Sequence, residues 1–105
     1  MTMQFSRDKD GAPIATGEGK QRVLADFLQS DIQDDAIIAR ELLEMADEVA
    51  RGALGRYEFT GNAHELTLRE SGATLVESHG GDDRGVEIPL ADFRRALSGW
   101  LTFIT

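Results

Sequence analysis

The sequence predicts an α+β fold, in which an antiparallel sheet carries a long central helix and a C-terminal helix packed on one face. Apolar residues recur at helical spacing in two long segments, one central and one C-terminal. Short segments that alternate apolar and polar residues, separated by glycine-containing turns, lie before and between these helices. Because strands, helices, strands and a final helix follow in that order, helices on one face of an antiparallel sheet are the simplest packing. The chain of 105 residues is predicted to form a single domain, residues 1–105.

The N-terminal segment predicts a β-hairpin followed by a short helix. Asp10 and Gly11 form a strong turn signal between strands at residues 4–8 and 12–15. A helix over residues 20–29 is predicted by apolar residues at one-face spacing. These residues are Val23, Leu24, Phe27 and Leu28.

The longest predicted element is a central helix that continues to about Leu54 and is ended by Gly55. Its apolar face consists of Ile38, Leu42, Met45 and Val49. Ser30 and Gln33 have the spacing of a capping box, which predicts that the helix begins at Ser30. The positive end of the helix dipole favours the acidic residues of the first turn. These are Asp31, Asp34 and Asp35.

The rest of the chain predicts short strands and a last helix. Period-two patterning over residues 57–60 and 64–68 predicts a hairpin, and residues 73–78 predict a further strand. An exposed loop at residues 80–85 precedes a short strand, residues 86–88, that ends at Pro89. The C-terminal helix is predicted by the spacing of its apolar residues. They are Phe93, Leu97, Trp100, Leu101 and Ile104.

Composition limits the classes of function. Nineteen acidic and 11 basic residues give a formal net charge of −8, which disfavours nucleic acid and anionic membranes as direct partners. The chain has no cysteine, so it has neither disulfides nor thiolate chemistry. No secretory signal and no apolar run of spanning length is present, so the protein is expected to be cytoplasmic.

The negative charge is concentrated in the middle of the chain. Residues 26–58 hold nine acidic and three basic residues, and residues 59–92 hold seven acidic and two basic residues. The candidate partner-binding residues on the central helix are Glu41, Glu44, Asp47 and Glu48, which a helical wheel places away from the apolar face. Asp82 and Asp83 of the glycine-rich loop are the other two candidates. Arg40 and Arg51 share this face, so the alternative is a merely solvated helix face with i,i+4 ion pairs such as Asp47–Arg51.

No pattern of residues indicates catalysis, a cofactor or a metal. Nucleotide-binding loops, serine-hydrolase elbows and zinc-protease motifs are missing from the sequence. His79 beside Asp82 and Asp83 forms only a weak metal-binding pattern. His64 is expected on the sheet with a hydrogen-bond partner, and Trp100 is expected in the core. An enzyme is therefore not predicted.

Three groups of residues occur in the same order as in a known family. They are Phe5-Ser6-Arg7-Asp8 with Gly11, His64-Glu65-Leu66-Thr67-Leu68 with Gly72, and Asp92-Phe93 with Trp100 and Phe103. On these residues the chain resembles the YacL-like small bacterial proteins, although its loop at residues 80–85 lacks their longer acidic insert. This resemblance implies the fold and no catalytic residue. In size, acidity and lack of catalytic motifs, the chain is also similar to immunity proteins of bacterial contact-dependent growth inhibition systems.

Two functions follow as hypotheses. The first is an immunity protein, or antitoxin, whose acidic surface covers the basic cleft of a cognate toxin domain, such as a nuclease. The alternative is a YacL-like housekeeping binding protein with a different partner. A small hydrolase that uses surface carboxylates is the least favoured. The protein is expected to be a monomer or a weak dimer.

Overall fold

The computed structural model describes residues 3–78 and 85–105, and it confirms the α+β fold. The strands are β1 (Gln4–Arg7), β2 (Pro13–Thr16), β3 (Arg56–Thr60), β4 (His64–Arg69), β5 (Gly72–Glu77) and β6 (Val86–Ile88). The helices are α1 (Lys20–Phe27), α2 (Ala36–Ala50) and α3 (Leu90–Ile104), and a π-helical turn (Leu28–Ile32) continues α1. None of these helices is long and apolar enough to cross a membrane.

The strands form two antiparallel sheets. β1 and β2 pair as a separate two-stranded hairpin, and the other strands form a four-stranded meander in the order β3-β4-β5-β6. Alternate residues of β4 are buried and exposed, so this sheet presents an apolar inner face and a polar outer face. The inner face packs against the helices: α2 lies on β3 and β4, and α3 lies on β5.

The core lies between the helices and the inner face of the larger sheet. α2 contributes Ala39, Leu42, Ala46 and Val49. α3 contributes Leu90, Phe93, Leu97 and Trp100. The predicted core position of Trp100 is confirmed, since the residue has no exposed surface and its indole Nε1 donates a hydrogen bond to the Gln33 carbonyl at 2.8 Å.

The predicted start of the central helix is wrong. α2 begins at Ala36, and its N-cap is Asp35, whose side chain accepts hydrogen bonds from the backbone N–H groups of Ile37 and Ile38. Ser30 instead belongs to the π-helical turn after α1, and the side chain of Gln33 donates to the Ser30 carbonyl. The Ser30–Gln33 capping box therefore does not form.

The predicted end of the helix is also displaced. α2 ends at Ala50, and Gly52 follows with a φ of 80°, the left-handed conformation that glycine adopts without steric cost. The N–H of Gly52 donates to the Val49 carbonyl, and the N–H of Ala53 donates to the Glu48 carbonyl at 2.9 Å. This is a Schellman motif, so Gly52, and not Gly55, ends the helix.

Candidate functional site

The candidate surface is the outer face of α2, the side of the helix that points away from the sheet. Glu41, Glu44 and Asp47 are exposed there, and Glu48 is half-buried. Because the buried residues of α2 lie on the opposite side of the helix, the wheel prediction for these four acidic residues is correct in its placement.

Two of the four acidic side chains have partners within the chain. Asp47 Oδ1 accepts a hydrogen bond from Arg94 Nε of α3 at 2.9 Å, and it lies 2.6 Å from Arg94 Nη2. Glu48 forms an ion pair with Arg51. The predicted Asp47–Arg51 pair is therefore wrong, because α3 brings a closer guanidinium to Asp47. Each of these two carboxylates therefore has a guanidinium partner within the chain.

Ile37 adds an apolar residue to the same face, and the sequence reasoning missed it. Its side chain is 75% exposed, and it is the only large hydrophobic residue of the described chain that is exposed. Glu41 and Glu44 follow it by four and seven residues, so the three side chains form one row along the helix. The exposure of Ile37 could have been predicted from the sequence, because a helical wheel that places Leu42 in the core places Ile37 on the solvent-facing side.

Asp82 and Asp83 lie outside the described residues, as does His79. The outer face of α2 is therefore defined by Ile37, Glu41 and Glu44, together with the paired acidic residues Asp47 and Glu48.

Asp31 and His64 form a buried pair that joins the π-helical turn to β4. The Asp31 carboxylate accepts hydrogen bonds from the backbone N–H of His64 at 2.9 Å and of Ala63 at 3.3 Å. Asp31 Oδ1 also lies 3.3 Å from the ring Nδ1 of His64, and the two side chains are 0% and 4% exposed. The expected hydrogen-bond partner of His64 is confirmed, and the imidazole is buried. Asp31, predicted to serve the helix dipole, instead ties the β3–β4 turn to the end of α1.

A cleft of about 500 Å³ lies between the β1–β2 loop and the segment that precedes α2. Two of its polar side chains are used by the fold: Asp8 accepts hydrogen bonds from the backbone of Asp10 and Ala12, and Gln29 accepts one from Ala15. Within residues 3–78 and 85–105, no group of three or more carboxylate or imidazole side chains is placed to hold a metal ion.

The fold and the surface together define a small α+β protein with a mixed acidic and apolar helix face. Residues 1–89 match the model of an uncharacterised protein family (UPF0231), and the chain belongs to this family. The match agrees with the YacL-like resemblance seen in the sequence. No curated protein and no solved structure matches the chain.

Proposed function

We propose that this chain is a non-catalytic binding protein that docks a basic protein through the outer face of α2. The observation that carries the proposal is the exposure of Ile37 beside Glu41 and Glu44. Exposed aliphatic side chains are common on proteins, but Ile37 is the only large one among the described residues, and it shares its row with two carboxylates. An apolar anchor with a charged border is the usual organisation of a protein-binding patch.

The chemistry of the partner follows from this row of side chains. Burying an isoleucine side chain contributes about 1.5–3 kcal/mol, which corresponds to roughly ten- to a hundredfold in affinity. Glu41 and Glu44 favour lysine or arginine on the partner and increase the rate of association. A small apolar pocket with basic residues at its rim is therefore the complementary surface.

Asp47 and Glu48 are proposed to contribute less than the sequence suggested. A basic partner competes with Arg94 for Asp47 and with Arg51 for Glu48, so it gains only the difference between two similar ion pairs. Binding through Glu41 and Glu44 carries no such exchange with these two arginines.

A comparative capture experiment tests the surface. Tagged wild-type protein and the variants Ile37→Ser, Glu44→Lys and Glu65→Lys are each used to capture proteins from cells, and the captured proteins are quantified by mass spectrometry. Glu65 is exposed on β4 and serves as the charge-matched control. A basic protein retained by wild type and Glu65→Lys, but lost with both α2 variants, supports the proposal. Equal retention by all four proteins contradicts it.

Two kinds of partner, a housekeeping protein and a toxin domain, are to be distinguished by experiment. The alternative is a housekeeping partner, and occurrence of this gene alone in strains without inhibition systems would favour it. An immunity function remains a proposal, supported by the acidity and small size of the chain. It requires a toxin-like domain encoded by the adjacent upstream gene, which co-purifies with this chain and loses its toxicity on binding. A neighbouring gene product without such a domain contradicts the immunity proposal. The binding surface on α2 is tested independently by the capture experiment.

A further inference from the structure

The four-stranded sheet has an open edge at β3, which has a neighbouring strand on one side only. The N–H of Gly61 donates to the His64 carbonyl at 2.9 Å, and Thr60 lies opposite Glu65. Since hydrogen-bonded and non-hydrogen-bonded pairs alternate along an antiparallel ladder, residues 56, 58 and 60 direct their backbone N–H and C=O groups away from β4. Within residues 3–78 and 85–105, these groups have no hydrogen-bond partner.

The two edges of this sheet differ in how well they are protected. β6 has three residues, is followed by Pro89 and lies beside α1. β3 has five residues, contains no proline and pairs with β4 without a bulge. Short length, proline, bulges and charge are the features that keep edge strands from pairing with other chains, and β3 has only charge.

The charges on β3 do not repel a second copy of the same strand. The side chains of Arg56 and Glu58 are 53% and 61% exposed and form an ion pair within the chain. In a two-fold antiparallel pairing centred on Tyr57, Arg56 of each copy lies opposite Glu58 of the other. That register also makes residues 56 and 58 hydrogen-bonded positions, which their outward backbone groups require. A register centred on Glu58 would place two carboxylates opposite each other, which is unfavourable.

We propose that two copies of this chain associate weakly through antiparallel pairing of their β3 strands, centred on Tyr57. The pairing joins the two four-stranded sheets into one continuous sheet and extends the existing Arg56–Glu58 ion pair into a ladder across the two-fold axis. A single strand pair buries far less than the roughly 1,200 Å² of stable interfaces, so the dimer is weak and exchanges with monomer below about 1 mM protein.

Charge-reversal variants of β3 test the pairing. Their dimer dissociation constants are measured by analytical ultracentrifugation at physiological salt, from about 10 μM to about 1 mM protein. Arg56→Glu and Glu58→Arg each place like charges opposite each other twice, and each is expected to raise the dimer dissociation constant about tenfold or more. The double variant restores opposite charges and is expected to recover dimerisation. Glu87→Arg on β6 changes the net charge as Glu58→Arg does and is expected to leave the dissociation constant unchanged.

Single cysteines test the register, since the chain has none of its own. Non-hydrogen-bonded antiparallel positions place Cα atoms about 4.5 Å apart, within the range for a disulfide. Tyr57→Cys is therefore expected to form a disulfide-linked dimer faster under mild oxidation than Glu58→Cys or Phe59→Cys, with circular dichroism to confirm that each variant is folded. A wild-type chain that remains monomeric at about 1 mM overturns the proposal, as do charge variants that dimerise with wild-type affinity.

Discussion

Replacing Asp31 by alanine removes the carboxylate that holds the β3–β4 turn against the end of α1. The carboxylate accepts the N–H of His64 at 2.9 Å and, at 3.3 Å, the N–H of Ala63. In the variant these groups lose their acceptor, and an alanine side chain cannot replace it. The Nδ1 of His64 loses its neighbour as well, because Asp31 Oδ1 lies 3.3 Å away.

The cost follows from the burial of these groups. The side chain of Asp31 is fully buried, and that of His64 is 4% exposed. A buried donor that loses its partner costs about 1–3 kcal/mol. The hydrogen bond from His64 at 2.9 Å and the longer one from Ala63, which is divided between both carboxylate oxygens, therefore correspond together to a loss of about 2–5 kcal/mol in the free energy of unfolding. This is a large part of the roughly 5–15 kcal/mol that stabilises a small domain.

Urea denaturation monitored by circular dichroism measures this loss. We expect a lower midpoint for Asp31→Ala with an unchanged denaturant dependence, which indicates a change in stability and not in compactness. Asp34→Ala, an exposed position three residues away, is the control and is expected to change the stability by less than about 0.5 kcal/mol. A midpoint for Asp31→Ala equal to that of Asp34→Ala would refute the role assigned to the carboxylate.

Three further substitutions test the packing by the same denaturation experiment. Leu42→Ala is expected to cost about 2–5 kcal/mol, because Leu42 is 1% exposed in the core; a change near zero means that the inner face of α2 is misassigned. Gln33→Gly is expected to raise the stability by about 1 kcal/mol, because Gln33 has φ 58° and ψ −133°, a conformation whose strain on a residue with a Cβ exceeds the contribution of its exposed hydrogen bond to the Ser30 carbonyl; a destabilised variant contradicts this strain. Gly61→Ala is expected to cost about 1–3 kcal/mol, because the added Cβ would overlap Asp31 Oδ2. This cost should decrease in the Asp31→Ala background, and strict additivity would exclude the contact.

The elements that could be predicted from the sequence are those whose patterns are local. The apolar spacing of the helices and the Asp10-Gly11 turn depend on neighbouring residues alone, so α3 and the β1–β2 hairpin lie where they were expected, and α2 lies inside its longer predicted range. The start of α2 was missed because two capping signals compete. Ser30 satisfies the local rule, but Asp35 is the residue that caps the helix.

The role of Asp31 was beyond any local rule. Its partners follow it by 32 and 33 residues in the chain, and they meet it only after the π-helical turn and the β3–β4 turn have packed together. An aspartate near a helix start is normally explained by the dipole, and nothing in the sequence distinguishes Asp31 from Asp34. Only the structure distinguishes the two residues, since Asp31 is 6% exposed and Asp34 lies on the surface.

The same limit applies to the acidic face of α2, where the count of carboxylates overstates the charge available to a partner. From the sequence alone, the four acidic residues on this face are equally good candidates for binding a partner. Asp47 is paired through Arg94, 47 residues away on α3, and no helical wheel of α2 could include that arginine. Within the part of the chain that the structure describes, the ion pairs leave the unpaired carboxylates of Glu41 and Glu44, on the same row as Ile37, as the negative charge available to a partner. A partner that recognises this face must therefore match an apolar contact as well as charge, and a uniformly basic surface without an apolar pocket fits it less well.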